Sequence, residues 1–228
     1  MSLSTRAVAG VLFDLDGTLA DTAPDLAHAV NLQRRARGLA ALPLQQLRPL
    51  VSQGARGMLR AGFGLTPEHP EYATMREEFL ALYAENLCQH TRLFDGMAQV
   101  LDALESAGLI WGVVTNKHAR FSEPLLEAMG LAARAACIVS GDTCARAKPF
   151  PDPLLEAARR LNLPPTVCLY VGDDERDIQA GDAAAMLPVA ALYGYLGDAA
   201  PAAPWGAAHQ IERPLDLLNL LALSPVMG

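Results

Sequence analysis

The sequence predicts an α/β fold in which a parallel sheet is flanked by helices and a small helical domain is inserted into the chain. Five short apolar runs predict buried strands, at residues 8–13, 110–114, 136–139, 167–171 and 187–192. Helical patterns separate the later runs, and strand–helix alternation is typical of a parallel sheet with right-handed crossovers. The segment between the first two runs carries helical patterns and no strand pattern. Together these observations indicate a Rossmann-like sheet with a helical insertion.

The helices between the later strands are marked by their boundaries. The pattern over 97–107 repeats apolar residues every three or four positions and stops at Gly108. A second helical pattern covers 121–129, and a third covers 153–161 and begins with Pro153, a residue favoured in first turns. These three helices are the expected crossovers of the sheet.

The insertion after the first strand is predicted to form a domain of its own. Helical patterns cover residues near 25–37, 44–61 and 69–88, a connection far longer than an ordinary loop. We expect these helices to sit over the carboxyl ends of the strands as a cap. The resulting assignment is residues 1–20 and 93–228 for the α/β core and residues 21–92 for the cap.

Composition excludes several classes of function. The 228-residue chain carries a net charge of −7, which gives it no general attraction to nucleic acids or anionic membranes. Its four cysteines are scattered without a Cys-x-x-Cys pair, which argues against a zinc site or a disulfide framework. No apolar stretch is long enough to span a bilayer, and the N-terminus lacks a signal-peptide pattern. We therefore expect a cytoplasmic protein with no nucleic-acid or membrane partner, present as a monomer or homodimer.

The first strand ends in a pair of carboxylates. Asp14 and Asp16 follow its last apolar residue, and Gly17 and Thr18 come next. Because side chains alternate along a strand, both carboxylates project to the same side at its carboxyl end, where open parallel sheets bind ligands. Such a pair suits a metal-assisted reaction in which one carboxylate attacks and the other moves a proton. The alternative is a polar turn without catalytic function.

Polar residues also follow the next three strands. Thr115 and Asn116 come after the second strand, where a hydroxyl and turn amides suit phosphate oxygens, unless they only cap the next helix. Lys148 follows the third strand beside several prolines, which restrict its position, although an isolated lysine is usually a solvated charge. Asp173 and Asp177 follow the fourth strand and suit a hard divalent cation, or else the N-terminus of a helix.

In this order, the four groups of residues resemble the motifs of the haloacid dehalogenase superfamily. The matching residues are Asp14-x-Asp16-Gly17-Thr18, Thr115, Lys148 and Gly172-Asp173-x-x-x-Asp177, and the helical insertion is similar to the family's cap. Within the superfamily, the sequence around Thr115, Lys148 and Asp173 looks most like the phosphoglycolate phosphatases. Several stretches, including residues 51–56 and 193–195, also look like the N-acetylmuramic acid 6-phosphate phosphatases of bacteria.

The resemblance implies a phosphatase mechanism. Asp14 would attack phosphorus and form an aspartyl-phosphate, while Asp16 would act as acid and then as base. Thr115, Asn116 and Lys148 would bind the phosphoryl group of a small phosphorylated metabolite. Mg²⁺ would be held by Asp14, the backbone carbonyl of Asp16, Asp173 and, at a greater distance, Asp177.

The cap is expected to read the rest of the substrate. Gln53, Gly54 and Arg56 are the candidate contacts, since Gly54 allows close approach and Arg56 suits a carboxylate. The resemblance favours 2-phosphoglycolate as substrate, with N-acetylmuramate 6-phosphate as the alternative. A sugar phosphomutase and a phospho-aspartate signalling module are further alternatives, distinguished by the absence of net phosphate release.

Overall fold

A computed structural model describes residues 8–196 and 205–225. In chain order, its strands are β1 (Gly10–Phe13), β2 (Ala20–Asp21), β3 (Arg92–Leu93), β4 (Ile110–Val114), β5 (Ile138–Val139), β6 (Cys168–Gly172), β7 (Leu187–Ala191) and β8 (His209–Ile211). Its helices are α1 (Ala23–Arg35), α2 (Leu44–Leu47), α3 (Gly54–Phe63), α4 (Tyr72–Glu85), α5 (Met97–Ser106), α6 (Ala119–Ala128), α7 (Asp152–Leu161), α8 (Glu175–Ala183) and α9 (Asp216–Leu221).

Six strands form one parallel sheet in the order β5-β4-β1-β6-β7-β8. The five predicted strands are all present, and the sequence missed β8, whose three residues alternate in burial and give no apolar run. β1 lies between β4 and β6, so the residues that follow it emerge in the middle of the sheet. This topology brings the predicted motif residues to one edge, because all of them follow carboxyl ends of neighbouring parallel strands.

Helices cover both faces of the sheet, as predicted. On one face, Phe13 and Val113 pack in a cluster with apolar residues of α5, α6 and α9. On the other face, Leu12 and Tyr170 pack with residues of α7 and α8. Neighbouring residues of one strand thus enter opposite clusters, which holds the strand ends in fixed positions.

The insertion packs around an apolar cluster of its own, formed mainly by α1, α3 and α4. Here the predicted helix over 44–61 is wrong, because the structure breaks it into α2, a 3₁₀ turn at Arg48–Gln53 and α3. Pro49 lies at the start of the 3₁₀ segment, one residue after Arg48, where its missing N–H costs no helical hydrogen bond. Gly54 then adopts a φ of 58°, which side-chain-bearing residues avoid.

The two chain crossings between the sheet and the insertion lie side by side. β2 and β3 pair antiparallel, with Ala20 opposite Leu93 and Asp21 opposite Arg92. The predicted domain boundaries, at 20/21 and 92/93, fall inside this ribbon. The sequence missed the ribbon because two residues per strand give no periodic signal.

No helix within the described residues is long and apolar enough to cross a bilayer.

Candidate active site

A cavity of about 270 Å³ lies between the carboxyl edge of the sheet and the helical insertion. Asp14, Asp16, Thr115 and Lys148 line it from the sheet. Residues 51–55 and α4 line it from the insertion. The structure therefore brings together the strand-end residues that the sequence singled out, and it places part of the cap opposite them.

Asp14 stands directly beyond β1, with its backbone N–H bonded to the Val171 carbonyl at 2.9 Å. Its Oδ1 lies 2.9 Å from Lys148 Nζ, and the two groups form an ion pair. Burial raises the pKa of Asp14 to about 7, and the charge of Lys148 limits the rise. The carboxylate thus has a buried oxygen without a hydrogen-bond donor among the described residues.

Lys148 is the centre of the charged cluster. Its Nζ contacts Asp177 Oδ1 at 2.7 Å and the Tyr170 hydroxyl at 2.7 Å, and only 2% of its side chain is exposed. Burial disfavours the ammonium, but the charges of Asp14 and Asp177 outweigh burial and raise the pKa of Lys148. The lysine is therefore a fixed positive charge beside Asp14, and not a solvated one.

Asn116 lines the cavity beside Thr115, and its side-chain amide is bonded to the backbone of Lys148. Its Oδ1 accepts from the Lys148 N–H and its Nδ2 donates to the Lys148 carbonyl, both at 3.0 Å. These bonds occupy the side-chain amide and fix the backbone of Lys148. Thr115 does line the cavity, and its hydroxyl oxygen accepts from the Lys117 N–H at 3.2 Å.

Three carboxylates meet beside Lys148. One oxygen from each of Asp14, Asp173 and Asp177 lies within 4.8 Å of the other two. Asp173 is fully buried and accepts from the Thr18 hydroxyl at 2.9 Å and from the Tyr195 N–H at 2.8 Å. Burial raises the pKa of Asp173 well above its ordinary value, which shows how poorly this environment tolerates its unneutralised charge.

The surrounding backbone leaves no space beside Asp173. A Cβ added to Gly17 would lie 2.2 Å from Asp173 Oδ2, and one added to Gly194 would lie 2.2 Å from Asp173 Cβ. Gly17 also has a φ of 91°, so two constraints require glycine there.

Asp177 has a structural role as well. Its Oδ2 accepts from the Asp174 N–H, and Asp174 caps α8, so the two residues form a capping box. The alternative interpretation of Asp177 as a helix-start residue is therefore correct in part.

The donor set fits a hard divalent cation. Within the described residues, Asp14, Asp16, Asp173 and Asp177 pair with two ammonium groups, Lys117 and Lys148, so the four carboxylates in their ionised form outnumber the ammonium groups by two. Carboxylate oxygens are the ligands that Mg²⁺ prefers, and Asp14 keeps a buried oxygen without a donor. The residues present therefore suit Mg²⁺ in both charge and chemistry.

Asp16 does not join the carboxylate cluster through its side chain. Its Oδ1 accepts from the Thr22 hydroxyl and from Lys117 Nζ, which lies 3.0 Å away. The Lys117 ammonium also sits 4.7 Å from the centre of the Tyr83 ring on α4. The charge of Asp16 helps to raise the pKa of Lys117 although burial opposes it. Sequence reasoning missed this lysine, whose only signal was its place after Thr115 and Asn116.

The cap predictions divide into two groups. Gln53 and Gly54 line the cavity, as expected for substrate contacts. Arg56 is exposed and is not among the residues that line the cavity, so the structure gives its predicted contact with the substrate no support. The reason is helix geometry, since α3 turns Arg56 outward while Gly57 and Met58 face the interior. A different arginine, Arg176 on α8, lines the cavity and was not predicted.

Tyr195 connects the carboxylate cluster with the start of the insertion. Its N–H bonds Asp173, while its hydroxyl accepts from the N–H groups of Thr22 and Ala23 at 2.8 and 2.9 Å. The same hydroxyl donates to Asp21 at 2.9 Å. Tyr195 thereby fixes the first turn of α1 relative to the cluster.

Known proteins resemble this chain in sequence and in fold. Residues 11–191 match the family of haloacid dehalogenase-like hydrolases. The N-acetylmuramic acid 6-phosphate phosphatase of Pseudomonas aeruginosa is 44% identical over 92% of this chain and 93% of its own. A phosphoglycolate phosphatase of Xanthomonas campestris is 47% identical over 91% of this chain and 93% of its own. The crystal structure of a predicted phosphoglycolate phosphatase from Haemophilus somnus matches with a TM-score of 0.82 and 27% identity, covering 95% and 99% of the two chains.

Proposed function

The chain belongs to the haloacid dehalogenase-like hydrolases and is a phosphatase of that family, and from this premise we propose its mechanism and substrate class. It is a Mg²⁺-dependent phosphomonoesterase that acts through an aspartyl-phosphate on Asp14. Its substrate is a small phosphate ester that also carries a carboxylate.

The position of Asp14 carries this proposal. Its carboxylate lines the cavity at the end of the central strand, with Lys148 Nζ 2.9 Å from one oxygen. Phosphoryl transfer depends mainly on positioning and on neutralising charge on the phosphoryl oxygens. A fixed ammonium beside a carboxylate nucleophile supports both, and the Thr115 hydroxyl adds a second group on the same side.

Asp16 is the proposed acid and base. It lines the cavity two residues after the nucleophile, where it would protonate the leaving oxygen and then take a proton from the hydrolytic water. Thr22 and Lys117 hold its carboxylate in one orientation. A proton must therefore reach Asp16 before the ester bond breaks, and the ion pair with Lys117 would have to loosen at that stage.

Asp14 and Asp173 would hold Mg²⁺, with the backbone carbonyl of Asp16, and Asp177 would support the site through Lys148 and the capping box. When bound, the cation would neutralise phosphoryl charge and orient the ester for attack. Its binding would also lower the pKa of Asp14, which keeps the nucleophile ionised near neutral pH.

Two substrates fit the carboxylate-bearing class, and relatives of this chain are named as phosphatases of each of them. The sequence favours 2-phosphoglycolate, whereas the cavity favours N-acetylmuramate 6-phosphate. 2-Phosphoglycolate offers only one methylene group for apolar contact with the cap side of the cavity. Val51, Phe79 and Leu80 add an apolar wall that suits the methyl groups and ring of a sugar acid.

Side-by-side phosphate release from both esters with Mg²⁺ tests the proposal. We expect activity on at least one ester and a loss of roughly 10⁴-fold or more in Asp14→Asn, because the amide cannot act as the nucleophile. A higher kcat/KM for the sugar acid supports the cavity argument, and the opposite preference supports 2-phosphoglycolate. Full activity of Asp14→Asn would contradict the mechanism.

The same assay separates the alternatives. A phosphomutase would release no net phosphate, and a signalling module would retain the phosphoryl group on Asp14. Mass spectrometry of the enzyme after rapid acid quench detects the second outcome.

The expected location is the cytoplasm. Cys88, Cys137, Cys144 and Cys168 are all free thiols in the structure, which suits a reducing compartment.

A further inference from the structure

We propose that Arg176 is a specificity-determining residue that binds the carboxylate of the substrate. This inference rests on the proposed function, because it assumes a phosphate ester that carries a second anionic group. Arg176 takes the role that the sequence analysis gave to Arg56, which the structure places outside the cavity.

Arg176 reaches from the sheet side of the cavity to the insertion. It belongs to the first turn of α8, it lines the cavity, and about 40% of its side chain is exposed. Its Nη2 donates to the carbonyl of Ser52 at 2.7 Å, next to the cavity residues Gln53 and Gly54. The guanidinium therefore lies where the part of a substrate beyond the phosphate would extend.

The guanidinium is held rigidly and keeps one nitrogen for a ligand. Nε and Nη2 donate to the two oxygens of Asp174 at 2.7 and 2.9 Å, a bidentate pair. Asp174 is itself fixed as the cap of α8. No acceptor for Nη1 is found among residues 8–196 and 205–225. An arginine fork fixed in this way loses little entropy when a planar carboxylate binds.

The two buried lysines of the cavity cannot take this role. Lys148 is occupied by Asp14 and Asp177, and Lys117 is occupied by Asp16. Both ammonium groups compensate charges that the chemistry itself needs.

The other two arginines of the cavity are engaged by one glutamate on α4. Arg76 contacts Glu77 at 2.7 Å, and Arg120 lies 4.0 Å from the same carboxylate. Arg120 is more loosely placed than Arg176, since 54% of its side chain is exposed. Arg76 is 39% exposed, similar to Arg176, but it has one carboxylate contact where Arg176 makes three hydrogen bonds. Arg176 is thus the cavity arginine with the firmest anchor and an unused donor.

Two matched substrate pairs test the inference. N-acetylmuramate 6-phosphate differs from N-acetylglucosamine 6-phosphate by the lactyl group that carries the carboxylate. In the second pair, 2-hydroxyethyl phosphate has a hydroxymethyl group where 2-phosphoglycolate has its carboxylate. For each pair, kcat/KM is measured with wild-type enzyme, Arg176→Met and Arg176→Lys. The ratio within a pair is the readout, since a general loss of structure or of phosphate binding lowers both members together.

We expect Arg176→Met to reduce the preference for the preferred carboxylate ester by roughly 10- to 100-fold, as for one charge-assisted hydrogen-bonded contact. Arg176→Lys should give a smaller reduction, because it keeps the charge without the planar fork. Arg56→Met is the comparison variant, with the same chemical change in an arginine outside the cavity, and should leave the ratio as in wild type.

The outcomes are distinguishable. A wild-type enzyme without a carboxylate preference would overturn the substrate class and this inference together. A wild-type preference that persists in Arg176→Met would overturn the inference alone. A preference lost in Arg56→Met and kept in Arg176→Met would return the role to Arg56. If Arg176→Met does not fold, the ratio in Arg176→Lys decides.

Discussion

The two walls of the cavity are built differently. The wall from the sheet consists of charged side chains that are buried and paired, and the side chains of Lys148 and Asp177 are each only 2% exposed. The wall from the insertion combines apolar side chains such as Phe79 and Leu80 with the backbone of residues 52–54. One wall is a cluster of paired charges, and the other is a surface whose shape depends on helix packing.

This difference separates chemistry from recognition. Lys148 contacts Asp14 after β1, Tyr170 on β6 and Asp177 on α8, so a change in one of these groups disturbs the others. The insertion instead packs around its own apolar cluster, and its cavity residues contact the core at few points, such as Ser52 with Arg176. Side chains of the cap wall can therefore vary with the substrate while the sheet wall remains unchanged.

The largest effect should follow a change in the sheet wall. Lys148→Met removes the ammonium beside Asp14, and we expect kcat to fall roughly 100-fold or more, because a preorganised charge at the reacting group contributes on that scale. The loss should persist at saturating Mg²⁺ and saturating substrate, since it concerns the transferring phosphoryl group. Steady-state phosphate release measures it.

Lys117→Met is the matched control, since it removes the other buried lysine of the cavity, which contacts Asp16 and not Asp14. We expect it to lower kcat less than Lys148→Met does, because its ammonium does not contact the nucleophile. If Lys148→Met retains kcat within tenfold of wild type, the charged cluster is not the source of phosphoryl stabilisation, and the comparison between the walls fails.

A smaller effect concerns stability and pH, and it again belongs to the sheet wall. Burial raises the pKa of Asp14 from 3.8 to about 7, so the folded state binds an extra proton between these values. Stability then falls as pH rises across that window, because the unfolded state releases this proton at lower pH. In EDTA, we expect a lower Tm at pH 8 than at pH 6. Each kcal/mol lost from the free energy of unfolding should lower Tm by roughly 2–4 °C.

Mg²⁺ should reverse this trend, because it binds ionised carboxylates and so stabilises more at pH 8 than at pH 6. Asp14→Asn isolates the contribution of this group, and its Tm should depend less on pH in EDTA. A wild-type Tm in EDTA that is equal or higher at pH 8 than at pH 6, with the same pH dependence in Asp14→Asn, would contradict the raised pKa of Asp14.

The same contrast explains how much could be predicted from the sequence. The parallel sheet and the meeting of Asp14, Lys148, Asp173 and Asp177 followed from strand order, because carboxyl ends of neighbouring parallel strands share one edge. The bonds of Asn116 to the Lys148 backbone could not be predicted, since a polar side chain at a strand end has many possible partners.

On the insertion, pattern reasoning was less informative. Periodicity identified helical segments, but the break at Arg48–Gln53 and the rotation of α3 decided that Gln53 faces the cavity and Arg56 faces solvent. The break and the rotation of α3 depend on how the helices pack on one another, and apolar spacing alone does not determine that packing. The ion pair of Arg176 with Asp174 is equally a matter of tertiary placement, although both residues lie in a motif that the sequence singled out.

The smallest effect should come from the cap wall. Gln53→Ala removes a cavity-lining amide opposite the charged cluster, and we expect KM to rise about two- to fivefold while kcat stays within twofold, as for one neutral hydrogen bond that is equal in ground and transition states. Gln45→Ala, an exposed glutamine on α2 outside the cavity lining, is the control and should match wild type. A large fall in kcat for Gln53→Ala would mean that the cap wall takes part in the chemical step. The separation of chemistry from recognition between the two walls would then be wrong, because a residue carried by helix packing would be positioning the reacting groups.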